Sequence, residues 1–250
     1  MQRSERLRLV VFDFDGTLVD SQHMIAEVMM AAFEAHDLAL PAAACVRRLV
    51  GLPLEQAVAA LLPGSMINAT GEVTATYRQF FREALDREDT LPPLYDGMAA
   101  LVRGLDGDGV LLGVCTGRAR HSLEHMLRAH GLGAHFATLQ TGDRHPGKPH
   151  PAMLEAALDE AGVGPSDALM VGDTTFDIAM ARNAGVVALG VGWGYHEPAE
   201  LVDAGAQVAD DAAALSAAIG EWLEPASTAP ENGDADGPDA RTVRAGDVGK

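Results

Sequence analysis

Near its start the chain reads Val10-Val11-Phe12-Asp13-Phe14-Asp15-Gly16-Thr17-Leu18-Val19-Asp20, a short apolar run that ends in two aspartates one residue apart. In an extended strand, residues i and i+2 point to the same side, so Asp13 and Asp15 project together while Phe12 and Phe14 turn into a core. Two adjacent carboxylates repel each other unless a cation lies between them or one is protonated. The stretch is therefore either an ordinary acidic Asp-Gly turn after a strand or part of a functional site.

Composition limits the classes of protein to which the chain can belong. Its 250 residues, 48% of them hydrophobic, are enough for one large domain or for a core domain with a smaller partner. Lys and Arg number 18 against 36 Asp and Glu, which gives a formal charge of −18. Such an acidic surface disfavours nucleic acid and anionic membranes as partners. An anionic substrate would need a local cation or a positive pocket.

The two cysteines, Cys45 and Cys115, form no CxxC pattern, so neither a disulfide framework nor a zinc site is expected. Cys115 lies in an apolar run and is predicted to be a small core residue. The N-terminal residues carry no apolar signal-like segment, and no apolar stretch approaches the length of a membrane span. We therefore expect a soluble, cytoplasmic protein.

The segment from residue 21 to residue 90 has helical apolar spacing and no strand pattern. Ser21 is predicted to be the N-cap of its first helix. Leu91-Pro92-Pro93-Leu94 is a stiff connector and a candidate hinge back to the rest of the chain. The helices are predicted over residues 22–36, 41–49, 54–62 and 73–85.

After the connector, short apolar strands alternate with amphipathic helices. This alternation, together with the first strand at residues 7–12, predicts an α/β fold with a doubly wound parallel sheet and helices on both faces. Residues 225–250 are almost devoid of large apolar side chains, so we predict a disordered tail. The later strands are predicted over residues 110–115, 136–139, 168–171 and 186–191, and the helices over residues 98–105, 122–130, 151–161, 176–183, 198–203 and 212–222.

Polar residues follow several of these strands where each strand ends. In open parallel sheets, ligands bind outside the carboxyl ends of the strands. Four polar groups of the sequence are therefore expected to converge there, although they are spread over about 160 residues of chain. They are Asp13 with Asp15, Thr116 with Gly117, the loop around Lys148, and Asp173 with Asp177.

Four segments, Asp13-Phe14-Asp15-Gly16-Thr17, Thr116-Gly117, Lys148-Pro149 and Gly172-Asp173-Thr174-Thr175-Phe176-Asp177, match in order and spacing the four motifs of the haloacid dehalogenase-like hydrolase superfamily. The helical insert resembles the C1 cap of its subfamily IA, the phosphoglycolate phosphatase-like branch. The resemblance covers about residues 7–223.

The resemblance also implies a division of the chain. Residues 1–20 and 91–224 would form a Rossmann-like catalytic core, residues 21–90 a smaller all-helical cap, and residues 225–250 the tail.

The resemblance assigns a chemical role to each motif. Phosphate esters are hydrolysed in two easier steps when an enzyme carboxylate attacks first, and that nucleophile would be Asp13. Asp15 would be the acid that protonates the leaving oxygen and then the base that activates water. Mg²⁺ is the implied cofactor because it prefers hard oxygen ligands. Its ligands would be the Asp13 and Asp173 carboxylates and the Asp15 backbone carbonyl, with Asp177 in support.

The resemblance assigns three further residues to binding of the phosphoryl group. Some of the motif residues also have an ordinary structural explanation. Lys148 would supply a point charge, Thr116 a hydroxyl and Gly117 an amide near a helix start. Taken alone, Lys148 would be an ordinary solvated loop lysine. Thr116 can equally cap the next helix, and Asp177 can be a first-turn acid that faces the helix dipole.

The cap is expected to select the substrate. Arg47, Arg48 and the turn at residues 51–53 are candidates to face the leaving group. We predict that Arg47 or Arg48 binds a substrate carboxylate or a second anion; two adjacent arginines cannot both lie on one helix face, so at least one is expected to be solvated.

The leading hypothesis is a Mg²⁺-dependent phosphatase of small phosphorylated metabolites, with phosphoglycolate as the best single substrate. A phosphomutase of the β-phosphoglucomutase type and a pyrophosphatase remain open. Relatives of the mutase type often carry valine where this chain has Thr17, which favours hydrolysis. A non-catalytic sensor of phosphorylated metabolites is disfavoured because Asp13 and Asp15 are both present. A haloalkanoate dehalogenase is disfavoured because its family pattern lacks the Asp-x-Asp pair.

Overall fold

The computed structural model describes residues 7–85, 87 and 91–224. The tail predicted at residues 225–250 lies outside the described residues, as do residues 1–6, 86 and 88–90. Within the described part, no helix is both long enough and apolar enough to cross a membrane.

The centre of the molecule is a six-stranded sheet in which every pair of neighbouring strands is parallel. The strand order is β3-β2-β1-β4-β5-β6. Helices on both faces complete the α/β fold, which confirms the predicted class. The strands are β1 (Leu9–Phe12), β2 (Leu111–Thr116), β3 (Thr138–Thr141), β4 (Ala168–Gly172), β5 (Val187–Val191) and β6 (Gln207–Ala209).

β1 is apolar throughout because both of its faces are covered. Val10 and Phe12 belong to one hydrophobic cluster, and Leu9 and Val11 belong to another on the opposite face. Successive side chains of a strand point to opposite faces, so four consecutive apolar residues are needed to serve two cores. The flanking helices are α5 (Met98–Gly107), α6 (Arg120–Ala129), α7 (Ala152–Ala161), α8 (Thr175–Asn183), α9 (Pro198–Asp203) and α10 (Ala212–Leu223).

The described residues between β1 and the connector contain helices and no strand. In α1 the apolar stripe that includes Met24, Ile25, Val28 and Phe33 is buried, as its spacing predicts, and α1 packs on α4. The four helices are α1 (Gln22–Glu34), α2 (Ala43–Leu49), α3 (Leu54–Leu61) and α4 (Thr70–Leu85), with a 3₁₀ turn at Gly64–Ala69 before α4.

The prediction that Ser21 is the N-cap residue of α1 is confirmed, although its side chain does not cap the helix. Ser21 occupies the N-cap position, but its hydroxyl makes no capping hydrogen bond. The hydroxyl instead donates to Asp15 and lies 3.0 Å from the Tyr195 hydroxyl. The charged Asp15 carboxylate accepts the hydrogen bond from the Ser21 hydroxyl, whereas in a capping bond the hydroxyl oxygen would accept from a helix amide; only the first contact is formed.

Two strand predictions also differ from the structure. No local pattern predicts β6, because three residues at a sheet edge are too few to display an alternation. β3 begins at Thr138 rather than at residue 136, and its buried residues include Thr138 and Gln140. Their side chains bond to the Glu160 carboxylate, so this strand buries polar groups whose partners are distant in sequence.

The strand order reverses at β1, which has β2 on one side and β4 on the other. Pairing with β4 continues past the end of β1, because the Asp13 amide donates to the Val171 carbonyl at 2.8 Å. Residues Asp13 and Asp173 therefore follow adjacent strands at the point where a doubly wound sheet opens its ligand crevice.

The two chain segments that join the helical insert to the sheet run side by side. The Asp20 amide donates to the Pro93 carbonyl at 2.9 Å, and the Tyr95 amide donates to the Leu18 carbonyl at 3.0 Å. The insert thus leaves and re-enters the sheet region at one place, which includes the connector identified in the sequence.

Candidate active site

The carboxyl edge of the sheet brings a lysine from one loop between aspartates from two others. The Lys148 ammonium lies 2.8 Å from Asp13 Oδ1 and 2.6 Å from Asp177 Oδ1. Lys148 is 1% exposed, so it is not the solvated loop lysine that its neighbours in sequence would suggest. A fully buried ammonium requires such partners, because an unpaired charge away from water is very costly.

Three carboxylates meet at the same place. Oxygen atoms of Asp13, Asp173 and Asp177 lie within 4.8 Å of one another, and all three residues are buried. Burial raises the pKa of Asp13 to about 7; the Lys148 charge opposes this rise and the Asp177 charge adds to it. Burial, together with the Asp13 and Asp177 charges, raises the pKa of Asp173 well above its usual value. This excess of buried carboxylate oxygen fits a hard divalent cation, which would favour the ionised forms.

Asp173 is held in a close-fitting cradle. Thr17 Oγ1 donates to its Oδ1 at 2.9 Å, and the Tyr195 amide donates to its Oδ2 at 2.9 Å. A Cβ atom at Gly16 or at Gly194 would overlap the Asp173 side chain, and Gly16 also has a φ of +84°. The two glycines are required because the backbone approaches the carboxylate closely on two sides.

Asp177 serves its own helix and the lysine together. Its Oδ2 accepts hydrogen bonds from the amide and the hydroxyl of Thr174, at 3.0 and 2.7 Å, in a capping box at the start of α8. Its Oδ1 faces Lys148. One carboxylate oxygen of Asp177 therefore caps α8, and the other contacts Lys148.

Asp15 is bound by Arg118, a residue that lies outside the four sequence motifs. Arg118 Nε donates to Asp15 Oδ2 at 2.7 Å, and Arg118 Nη2 contacts Oδ1. The guanidinium is buried and lies 4.7 Å from the ring centroid of Phe81 and 5.5 Å from that of Phe14. Arg118 comes two residues after β2, so the rule that polar residues at strand ends converge could have found it.

Thr116 is the last residue of β2 and Gly117 follows it, at the strand ends where Asp13 and Asp15 also lie. Thr116 is buried, and its hydroxyl accepts a hydrogen bond from the Arg118 amide at 3.2 Å. The N-cap of α6 is Ala119, so the alternative in which Thr116 caps this helix is wrong. Gly117 is exposed toward the space above the strand ends.

A cavity of about 370 Å³ separates the strand ends from the four helices of the insert. Asp13, Asp15, Thr116 and Gly117 line its floor. Side chains of α1–α4, the turn at residues 51–53, and core residues near the start of α6 and after β3 line the remainder. The turn at residues 51–53 lies against the core, since a Cβ atom on Gly147 would overlap Pro53.

Arg47 and Arg48 do not line this cavity, contrary to the expectation that one of them faces the leaving group. Arg47 donates to the Gln22 side chain at 3.0 Å, and Arg48 pairs with Glu200 at 2.5 and 2.8 Å. The Arg48 guanidinium lowers the pKa of Glu200 to about 2. Both arginines are exposed because α2 turns its apolar residues toward the cavity and its basic ones toward α1 and α9.

Comparison with known proteins gives consistent matches. The model of the family described as haloacid dehalogenase-like hydrolase matches residues 10–191. A probable phosphatase, IndB, from Dickeya dadantii is 35% identical over 221 residues, which cover 83% of this chain and 94% of that protein. A phosphoglycolate phosphatase from Rhodospirillum rubrum is 35% identical over 223 residues, which cover 86% and 90%. A pyrophosphatase, PpaX, from Bacillus velezensis is 32% identical over 193 residues, which cover 76% and 85%.

Solved structures share the fold. A haloacid dehalogenase-like family hydrolase from Streptococcus pneumoniae superposes with a TM-score of 0.74 at 24% identity, covering 85% of this chain and 98% of that one. A hydrolase from Pseudomonas syringae gives a TM-score of 0.72 at 23% identity, covering 86% and 98%. At these identities the likeness supports the fold alone.

Proposed function

The chain belongs to the haloacid dehalogenase-like hydrolase family and is a phosphatase, and from that premise we propose that it hydrolyses phosphate monoesters of small metabolites with Mg²⁺, through a phosphoryl group carried on Asp13. One observation carries the proposal. Lys148 is buried between Asp13 and Asp177, beside Asp173, at the carboxyl ends of the strands. This arrangement offers a carboxylate nucleophile together with positive charge for the oxygens of a phosphoryl group.

In the first step, an Asp13 oxygen forms a bond to phosphorus while the bond to the leaving oxygen breaks. The Lys148 ammonium neutralises part of the charge that gathers on the phosphoryl oxygens, and the Thr116 hydroxyl and the Gly117 amide bind those oxygens. In the second step, water attacks phosphorus and the bond to Asp13 breaks, which frees inorganic phosphate.

Asp15 is proposed as the proton carrier for both steps. Its proton passes to the leaving oxygen in the first step, and the carboxylate accepts a proton from water in the second. Arg118 and Ser21 hold the Asp15 carboxylate at the cavity floor, so Arg118 positions this group rather than reacting itself.

The Asp13 and Asp173 carboxylates and the Asp15 backbone carbonyl would hold the Mg²⁺ ion, and Asp177 would support it through Lys148 and neighbouring water. When bound, the ion supplies positive charge that favours ionised Asp13 and lets a carboxylate approach a phosphate. The buried acidic cluster supports this assignment.

We further propose that residues 21–90 form a cap over a core made of residues 1–20 and 91–224. The paired segments at residues 18–20 and 93–95 are the proposed hinge. Opening there would admit substrate, and closure would exclude water other than the attacking molecule. The cytoplasmic location and the absence of nucleic-acid partners stay predictions from the sequence.

The test is phosphate release from p-nitrophenyl phosphate with and without Mg²⁺, for wild type, Asp13→Asn and Asp159→Asn. Asp159 is exposed on α7 and serves as the matched control. We expect Mg²⁺-dependent release by wild type and control and none by Asp13→Asn. Acid-quenched wild-type enzyme should carry a phosphoryl adduct on Asp13 by mass spectrometry. Activity that survives in Asp13→Asn or without a divalent ion would refute the mechanism.

The same assay sorts the substrate classes named in the relatives. Phosphoglycolate, pyrophosphate and hexose phosphates are compared by kcat/KM. A phosphomutase would convert a hexose 1-phosphate to its 6-phosphate without net phosphate release, which distinguishes it from a hydrolase. Preference for pyrophosphate would favour the activity named in the Bacillus velezensis relative.

A further inference from the structure

The wall that the helical insert contributes to the cavity above the strand ends is mostly apolar, although Glu55, Arg78 and Arg82 also belong to it. Every helix of the insert contributes hydrophobic side chains to the wall that faces Asp13 and Asp15. The wall includes Met29 of α1, Val46 and Leu49 of α2, Leu54 and Leu61 of α3, and Phe81 of α4. An apolar wall offers no hydrogen bonds to a charged ligand group and stabilises a ligand that buries hydrocarbon.

Two arginines that line the cavity are held by carboxylates. Arg118 is bound to Asp15, and Arg78 pairs with Glu55 at 2.6 Å. Arg82 is exposed and donates its Nε to the Arg78 carbonyl. Glu55, the partner of Arg78, lines the cavity too, so this ion pair adds no net charge to the site.

The core also contributes an acidic side chain to the cavity. Asp143, in the loop that follows β3, also lines the cavity, near the Gly117 edge. A carboxylate on the leaving group would lose its hydration against an apolar wall and meet the acidic side chain of Asp143. Compensation would have to come from Arg82, which is exposed to solvent, or from a cation that left its present carboxylate.

We propose that this cavity is the leaving-group site and that the substrate is a phosphate monoester of an uncharged, largely apolar alcohol, rather than a carboxylate-bearing ester such as phosphoglycolate. The inference rests on the proposed phosphatase function and narrows it. The volume supports it, because about 370 Å³ falls within the range of cavities that take ligands much larger than a two-carbon acid. Continuity of the cavity with Asp13 and Asp15 places the ester oxygen at the floor and the alcohol under the insert.

The experiment compares kcat/KM for methyl, n-butyl and n-hexyl phosphate and for phosphoglycolate, at saturating Mg²⁺. All four leaving groups are poorly acidic alcohols, so the chemical step is matched and the differences report binding of the alcohol. Full burial of a methylene is worth about fourfold in kcat/KM, so n-butyl phosphate is expected to exceed methyl phosphate by up to about 60-fold. Phosphoglycolate is expected to fall below n-butyl phosphate.

Two variants locate the effect. Leu49→Asn or Leu54→Asn places an amide in the wall and is expected to lower the n-butyl to methyl ratio at least about fivefold. Val202→Asn, on the exposed face of α9, is the matched control and should leave the ratio unchanged. Each variant is first checked for a wild-type circular-dichroism spectrum.

The outcomes separate this inference from the proposed function. Equal kcat/KM across the three alkyl phosphates, or phosphoglycolate above n-butyl phosphate, overturns the apolar leaving-group site and leaves the phosphatase intact. No Mg²⁺-dependent release from any ester, p-nitrophenyl phosphate included, overturns the phosphatase and this inference with it.

Discussion

Replacing Arg118 with methionine tests the contact that holds Asp15. The substitution keeps most of the apolar stem that packs near Phe14 and Phe81 and removes the guanidinium. Arg118 and Asp15 are 8% and 6% exposed, and the pair has two contacts between charged groups. Removing one partner of a buried pair costs about 3–5 kcal/mol of unfolding free energy, because the other charge is left buried without compensation.

The measurement is a double-mutant cycle by urea unfolding without Mg²⁺, using wild type, Arg118→Met, Asp15→Asn and the double variant. In the Asp15→Asn background no carboxylate remains to be stranded, so the same Arg118→Met change should cost under about 1 kcal/mol. The coupling energy is therefore expected to be at least about 2 kcal/mol. Equal costs in the two backgrounds would refute the argument that the pair is buried and mutually dependent.

Kinetics on the same variants test whether Arg118 positions a proton carrier. Protonation of the leaving oxygen matters greatly for an alkyl phosphate and little for p-nitrophenyl phosphate, whose leaving group is already stable as an anion. Arg118→Met should lower kcat/KM for n-butyl phosphate about 10–100-fold more than for p-nitrophenyl phosphate, a fraction of the usual value of general acid catalysis. Arg118→Lys should recover part of the loss. An equal loss on both esters would show a merely structural effect.

Other predictions concern the lysine, the proposed metal site and the half-buried His130. Lys148→Met should lower kcat/KM for p-nitrophenyl phosphate by at least about 100-fold, since its charge faces the phosphoryl site; a loss below tenfold would contradict that role. Mg²⁺ should raise the unfolding temperature of wild type and of Asp159→Asn, whereas Asp173→Asn should need at least about tenfold more Mg²⁺ for the same rise in a thermal titration. Burial lowers the pKa of His130 in the folded protein. As the pH falls, His130 is therefore protonated in the unfolded chain before it is protonated in the folded one. The contribution of neutral His130 to folding stability is present above about pH 6.5 and is lost as the pH falls below that value. Between about pH 7.5 and pH 5.5, the urea midpoint of unfolding should therefore fall less for His130→Gln than for wild type. An equal fall in the two proteins would contradict this prediction.

The fold was predictable because its signals are local. β1 reads as an apolar strand because both faces are buried, and the helices after each strand carry a buried stripe that repeats every three to four residues. Two strands, β6 and β3, lack such a local signal. β6 has only three residues, and β3 buries Thr138 and Gln140 against Glu160, a partner about 20 residues away whose position no local pattern encodes.

The part of the candidate site that lies directly after the strands was predictable from the sequence. Asp13, Lys148, Asp173 and Asp177 meet because parallel strands bring their carboxyl ends to one edge. The sequence does not indicate the residues that bind these groups from elsewhere in the chain. Tyr195 donates its amide to Asp173 across 22 residues of sequence, and nothing in its own neighbourhood indicates that contact.

By itself, the sequence determined the order of strands and helices, the edge at which ligands bind and the acidic and basic groups gathered there, because strand and helix periodicity decide which side chains point inward and where each strand ends. Only the tertiary structure decided which groups pair. Asp15 meets Arg118 across 103 residues, and Arg48 turns away from the cavity to Glu200 across 152. Such choices depend on how each helix is rotated against the sheet, a geometry set by packing of the whole core rather than by spacing along the chain.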